Sequence, residues 1–327
     1  MKNRNITLDL FKILLAFMVV GLHGDILSTF SPLDCFLTTN GIFRIAVPIF
    51  FIINGYYFTT VNNTYKLKKW LCRVFLLYVF WMILYCYEWF IFQPFTFTSM
   101  IKNIINFIIG YHQLWYLPGM IGAGILTFIF RDKVKLGIIM TFTLFIIGVL
   151  IQYLANYHVF SKPILDKFVN YTFIHRNFLF LGFPFFYIGY FIKNSKSLVK
   201  LSLPVLISIS ILGLGLLLGE SWYNYNNPQE NGGFDNYLSL ILICPALFLL
   251  FINPKLARLS NNGNLALISS SIYFIHPFWF IVLNEVTTFN KFVMTLFCFA
   301  LSLLSSYLLI ALYKVKVQNK QIFKFIL

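Results

Sequence analysis

Three ionisable side chains lie within one apolar stretch near the start of the chain: Asp9, Lys12 and His23. In an α-helix, the eleven residues from Lys12 to His23 make three turns plus about 20° and a rise of about 16 Å, so both side chains lie on one face. Asp9 precedes Lys12 by three residues and is within side-chain reach. Taken singly, His23 would be a packed interfacial residue and Lys12 would snorkel to the inner surface. Their shared face instead favours a polar groove in which His23 accepts a proton from a hydroxyl.

Other polar groups accompany the next apolar segments. Arg44 opens the second segment on the same side as His23, where it would either anchor the helix at the interface or bind a carbonyl oxygen or acidic group of an acceptor. Asn54 is a polar notch in that segment, and Asp25 is an acid that can fix the tautomer of a nearby imidazole. His276 precedes a proline that distorts its helix and frees a carbonyl, which raises interest in that position.

A basic cluster precedes the third apolar segment, in the predicted cytoplasmic loop Tyr65–Arg73. Such a cluster can hold the phosphates of a nucleotide donor, bind anionic lipid or merely set topology. The other histidines, His112, His158 and His175, are compatible with plain loop positions. The five cysteines are scattered without metal-like spacing, and no phosphate loop, nucleophile elbow or zinc triad is present in the sequence.

The elements that must position these groups are membrane helices. The chain of 327 residues is 59% hydrophobic and 11% charged, and its mean hydropathy is +0.80. Its apolar runs are continuous for about 20 residues, without the alternation of barrel strands. We therefore predict an all-α polytopic membrane protein, a single domain over 1–327 with no soluble domain. The ten predicted spans are about 7–24, 42–60, 70–92, 114–130, 136–156, 175–193, 201–219, 236–253, 267–284 and 291–313.

The formal net charge of +15 is a topology signal in this interpretation. With the N-terminus inside, most of the lysines and arginines fall in the inner connections and at the two ends of the chain. This asymmetry is what the positive-inside rule requires, so both termini are predicted to be cytoplasmic and no nucleic-acid partner is expected.

Together these residues resemble the acyltransferase-3 family of bacterial membrane enzymes. The resemblance follows the chain in order through a D-x-x-K-x10-H run (Asp9, Lys12, His23) and the segments RIAVPIFFIINGYY, LWYL (Leu114–Leu117), FPFFYIGYFI (Phe183–Ile192) and SIYFIHPFW (Ser271–Trp279). It implies a ten-helix enzyme of the bacterial inner membrane. Such an enzyme moves an acyl group, usually acetyl from acetyl-CoA, onto hydroxyls of cell-surface sugars.

The resemblance also implies roles for particular residues. His23 would be the catalytic histidine, Lys12 the basic partner in the R/K-x10-H motif and Arg44 the arginine of the second span. The family often has R-x-x-R in its basic loop; here Arg73 takes the second place and a tryptophan the first, with Lys69 as a neighbouring substitute. The family's usual serine before the glycine of span two is replaced by asparagine.

The expected site has three parts and no metal. Its residues are His23, Lys12, Arg44 and Asp9 for catalysis, Arg73, Lys69, Lys68 and Trp115 for the donor, and Asp25, Asn54 and His276 for the acceptor. The expected partners are acyl-CoA on the cytoplasmic side, a glycan or lipid-linked sugar on the outer side, and membrane lipid. Direct transfer and an acyl-histidine intermediate both remain open. The alternatives are a carrier or exporter of a small metabolite or lipid-linked sugar, and a purely structural membrane partner.

Overall fold

The computed structural model describes residues 4–227, 233–260 and 264–316, and they are almost wholly helical. Short turns of 3-10 helix (Ile42–Ile45, His112–Trp115) and π-helix (Phe178–Gly182) adjoin three of the α-helices. The α-helices are α1 (Ile6–His23), α2 (Pro32–Thr39), α3 (Ala46–Phe58), α4 (Thr64–Leu84), α5 (Cys86–Trp89), α6 (Phe97–Ile109), α7 (Tyr116–Phe130), α8 (Val134–Asn156), α9 (Pro163–Val169), α10 (Thr172–His175), α11 (Phe183–Asn194), α12 (Lys196–Val199), α13 (Leu203–Asn226), α14 (Leu240–Ile252), α15 (Asn264–Val286) and α16 (Lys291–Lys316).

Seven helical segments in the described part of the chain are long and apolar enough to cross a membrane: Ile6–His23, Pro32–Phe58, His112–Phe130, Val134–Asn156, Leu203–Asn226, Asn264–Val286 and Lys291–Ala311. They confirm the all-α, multi-pass architecture. The remaining predicted spans coincide with α4, which is charged in its first turns, with α11 and the π-turn before it, and with the shorter α14. The count of ten and the cytoplasmic termini therefore stay predictions.

The predicted basic loop is helical, so this expectation from the sequence is wrong. Helix α4 begins at Thr64, because the side chain of Asn63 caps it by accepting a hydrogen bond from the backbone N–H of Lys66 at 2.9 Å. The lysines that follow are good helix formers. Pro48 lies in the first turn of α3, where a proline is tolerated.

The centre of the bundle depends on a close approach between α3 and α11. A Cβ atom on Gly55 of α3 would lie 1.8 Å from the carbonyl oxygen of Phe186, and one on Gly189 of α11 would lie 1.9 Å from that of Ile52. The two backbones are thus in contact at both glycines, where no other residue fits. This contact fixes α3, which carries Arg44 just before its start.

Helix α1 packs mainly against α15, which in turn packs against α16. Two two-residue strands, β1 (Arg4–Asn5) and β2 (Leu259–Ser260), pair antiparallel just before α1 and before α15. Asn5 caps α1 by accepting from the backbone N–H of Leu8 at 3.2 Å. The start of α1 is therefore held, and the other end of the helix carries His23.

Candidate functional site

A polar chamber of about 310 Å³ lies at the His23 end of α1. It confirms the expectation that His23 and Arg44 lie together, since both line it. Other lining side chains come from distant parts of the chain and include His112, Trp115, His175, Arg176, Asp235 and Tyr273. We call this cavity the outer chamber.

The charged group in the outer chamber is an acid between two arginines. Asp235 Oδ1 accepts hydrogen bonds from Arg44 Nη1 and, at 3.3 Å, from Arg176 Nη1. Burial alone would raise the pKa of Asp235, but Arg176 and Arg44 outweigh it and lower the pKa to about 2. Arg44 Nη2 also donates to Asn40 Oδ1 at 2.6 Å, and the Arg176 guanidinium lies 5.1 Å from the ring centroid of Trp115. Asp235 is therefore ionised, and Arg44 is held by two partners.

The segment that carries Asp235 is fixed by a buried amide. Gln152, fully buried on α8, accepts the backbone N–H groups of Asp235 and Asn236 through Oε1, each at 2.8 Å. Its Nε2 donates to the Asn236 carbonyl at 2.9 Å. The Asn236 side chain donates to the backbone carbonyl of His175 at 3.0 Å. These bonds set the positions of both Asp235 and His175.

Three imidazole rings come together beside the outer chamber. The His23 ring centroid is 4.5 Å from that of His112 and 5.3 Å from that of His276. All three rings line a second cavity of about 190 Å³. His276 is fully buried, and its Nδ1 lies 3.2 Å from the Ile272 carbonyl, so Nδ1 carries the proton and donates. No group of three or more His, Cys, Asp or Glu side chains in the described ranges is arranged to hold a metal ion.

A larger cavity of about 420 Å³, the inner chamber, lies towards the start of α1 and is lined by Lys12, Asn54, Arg73, Tyr116 and Tyr273, among others. The predicted pairing of Lys12 with Asp9 is confirmed, because Lys12 Nζ lies 2.9 Å from Asp9 Oδ1 and both residues are buried. The Asn54 side chain donates to the Tyr116 hydroxyl at 2.8 Å. The inner chamber is thus lined by the lysine of a buried ion pair, a hydrogen-bonded polar pair and one arginine of α4.

The sequence predicts one polar groove along this face of α1, and two cavities that share a lining residue lie there. Tyr273 of α15 lines both of them, and its hydroxyl donates to the Gln113 carbonyl at 2.5 Å. Tyr273 therefore lies where the cavity that contains Lys12 meets the cavity that contains His23.

The other predicted donor residues are divided between the two chambers and the surface. Arg73 lines the inner chamber, whereas Lys68 and Lys69 are exposed on α4 and do not line it. Trp115 lines the outer chamber below Arg176, so the structure does not bring it together with Arg73. Its place in a donor site has no support from this arrangement.

The predicted acceptor residues are also divided. Asn54 lies in the inner chamber rather than beside His23. His276 is next to His23, as a site residue should be. Asp25 is exposed and outside the chamber linings, with its carboxylate 3.8 Å from Lys291 Nζ, so it does not fix the tautomer of His23 in this arrangement.

Sequence reasoning missed His112, His175, Arg176 and Asp235. A signal was present for Arg176, because it stands one residue before an apolar run, much as Arg44 stands at the start of one. His112 has a positive φ of 49° and follows Gly110, whose φ is 91°. The His112 ring nevertheless lies 4.5 Å from that of His23, a proximity that its place in the sequence does not indicate.

These features define a class: a multi-pass helical membrane protein with polar chambers between its helices. The profile of an acyltransferase domain matches residues 5–311, nearly the entire chain. The chain therefore belongs to the acyltransferase-3 family.

Curated relatives share sequence with this chain at low identity. An amino-acid racemase of Enterococcus faecalis is 27% identical over 318 residues, which cover 88% of this chain and 43% of that protein. A serine/alanine racemase of Enterococcus gallinarum is 27% identical, over 85% of this chain and 41% of that protein. The chain thus spans about two fifths of the length of these relatives. No solved structure matches.

Proposed function

We propose that this chain moves an acyl group, most simply acetyl, from cytoplasmic acyl-CoA to a hydroxyl of an acceptor on the outer side of a bacterial cell membrane. The observation that carries the proposal is the pair of chambers along α1. Lys12 and Arg73 line the inner one, and His23 and Arg44 line the outer one. This arrangement suits a donor and an acceptor that arrive from opposite sides and meet at His23.

The donor enters by the inner chamber in this proposal. Its phosphates pair with Arg73 and with the lysines exposed on the same helix, Lys68 and Lys69. Lys12, already paired with Asp9, adds positive charge deeper in the chamber. The thioester must then pass Tyr273 to reach His23.

At His23 the acceptor hydroxyl loses its proton and receives the acyl group of the thioester. The imidazole takes the hydroxyl proton of the acceptor as its oxygen attacks the thioester carbonyl. The carbon–sulfur bond breaks, and the departing thiolate of coenzyme A receives that proton from the imidazolium. Alternatively, His23 itself attacks the thioester and transiently carries the acyl group. Arg44, held by Asp235 and Asn40, contributes positive charge at the outer chamber in either route.

The acceptor class in this proposal is a cell-surface or lipid-linked glycan, whose hydroxyls face the outer chamber. The names of the curated relatives add a second class. Serine has a hydroxyl of the same chemistry, and both serine and alanine have an amino group that an acyl donor can modify. The proposal does not depend on the racemase activity in those names.

A carrier or exporter is the second candidate, because two chambers in line also suit a transport path. The discriminating test supplies membranes containing the protein with acetyl-CoA labelled in the acetyl group and with a cell-envelope extract. An acyltransferase releases free coenzyme A in proportion to the label that enters the acceptor. Intact acetyl-CoA, with folded protein and a broad set of acceptors, would favour the carrier.

A further inference from the structure

The charges of the described residues that line the outer chamber do not balance. Among the described residues that line it, the formally charged side chains are Arg44, Arg176 and Asp235. Both guanidinium groups share one oxygen, Oδ1 of Asp235. One positive charge is therefore left without a counter-charge among these described residues, and such an arrangement attracts an anion.

Of the two arginines, Arg176 makes fewer side-chain hydrogen bonds and is more exposed. Arg44 donates to both Asp235 and Asn40, and its side chain is 13% exposed. The Arg176 side chain makes a single hydrogen bond to the described residues, at 3.3 Å, and it is 28% exposed. Its guanidinium lies 5.1 Å from the ring centroid of Trp115, and its remaining N–H groups can make a bidentate contact to an anion.

A second polar group in the chamber also lacks a partner. His175 is 4% exposed and lines the outer chamber, and neither of its ring nitrogens has a hydrogen-bond partner among the described residues. Its backbone is held by Asn236, the residue next to Asp235. Buried polar atoms without partners are rare in folded proteins, and a ligand is one explanation for them.

We propose that the outer chamber contains a subsite for an anionic group, a carboxylate or a phosphate, that belongs to the acceptor. Arg176 pairs with the anion, and His175 donates a further hydrogen bond to it. That the bound anion belongs to the acceptor rests on the proposed function, whereas binding of an anion at this site does not. The acceptor is then an acidic hydroxyl compound, such as a uronic acid, a sugar phosphate or a hydroxy amino acid, and a neutral sugar binds more weakly.

The scaffold around this subsite is built before the ligand arrives. Gln152 fixes the backbone on both sides of the Asp235–Asn236 peptide, and Asn40 holds Arg44. Asp235 is thereby kept on Arg44, which leaves Arg176 to meet the ligand. A preformed cationic subsite binds without the entropic cost of ordering its side chains.

The test measures binding without a donor, by thermal shift and titration of the purified chain in neutral detergent. Matched ligand pairs separate the sources of the anion: methyl glucuronide against methyl glucoside, glucose 6-phosphate against glucose, and L-serine against L-serine amide. In at least one pair, the member that carries the carboxylate or phosphate should bind about tenfold tighter than the member that lacks it, as one charge-assisted contact implies. Equal binding within all three pairs would overturn the subsite.

Variants locate the effect. Arg176→Gln should abolish the preference for the member with the anionic group, and Arg176→Lys should retain part of it. Lys167→Gln, a change at an exposed lysine that does not line the chamber, should keep the full preference. A preference that survives Arg176→Gln, or that is lost equally with Lys167→Gln, overturns the proposal.

The same samples then receive labelled acetyl-CoA. Anion selectivity without acyl transfer supports the subsite and removes only the proposed function. Acyl transfer to neutral and anionic acceptors with equal KM in wild type and Arg176→Gln removes only the subsite.

Discussion

Replacing Lys12 by Met tests whether its charge serves the donor or only the fold. Lys12 Nζ lies 2.9 Å from Asp9 Oδ1 within α1, and Asp9 is 2% exposed. The variant leaves the Asp9 carboxylate buried without Lys12, and breaking such a pair costs about 3–5 kcal/mol of unfolding free energy. The double variant Asp9→Leu with Lys12→Met removes both charges with side chains of suitable volume. Its stability should return to about that of the wild type.

The assay follows thermal unfolding in neutral detergent together with acetyl transfer and the KM for acetyl-CoA. If Lys12 contributes charge to the donor path, the double variant is as stable as the wild type yet transfers poorly, with a raised KM. Recovery of wild-type transfer in the double variant would refute this reasoning and make the pair structural. An unchanged melting temperature for Lys12→Met alone would refute the stated magnitude.

Three further changes probe the scaffold. Gly189→Ala places a Cβ atom 1.9 Å from a carbonyl oxygen of α3 and should lower the unfolding free energy by about 3 kcal/mol, whereas Gly215→Ala, with no atom within 4 Å, should not; comparing their melting temperatures is the check. Asp235→Asn leaves two guanidinium groups without their carboxylate and should cost about 3 kcal/mol by the same measurement. Because the pKa of Asp235 is lowered to about 2, its stabilisation in the wild type is complete above pH of about 4 and is lost as the pH falls towards 2; a melting temperature that rises over this interval on acidification would contradict the sign. Tyr273→Phe removes the donor to the Gln113 carbonyl and should cost about 1–2 kcal/mol, and an unchanged unfolding free energy would show that this bond contributes nothing.

Local sequence spacing was sufficient where the partners lie within a turn or at one end of adjacent segments. The Asp9–Lys12 pair follows from three-residue spacing, and the meeting of His23 with Arg44 follows from their places at neighbouring helix ends. Continuous apolar runs were likewise enough to assign an all-helical membrane fold.

The remaining site residues depend on contacts between distant parts of the chain, which cannot be recognised in a single sequence. Asp235 is 191 residues from Arg44 and 59 from Arg176, so its role emerges only in the folded bundle. The start of α4 was missed because the cap at Asn63 had no part in the prediction. Trp115 was assigned by its motif, whereas the 3-10 turn that contains it places its ring in the outer chamber.

The most direct test of acyl transfer compares His23→Ala with His158→Ala. His158 pairs with Asp166 and lines none of the chambers around His23, so it is a matched control for the loss of an imidazole. Both variants receive labelled acetyl-CoA and the acceptor that the wild type uses. The account predicts that His23→Ala stays folded and loses transfer by a factor of about 100 or more, whereas His158→Ala transfers like the wild type. Equal transfer by wild type and His23→Ala would contradict the account.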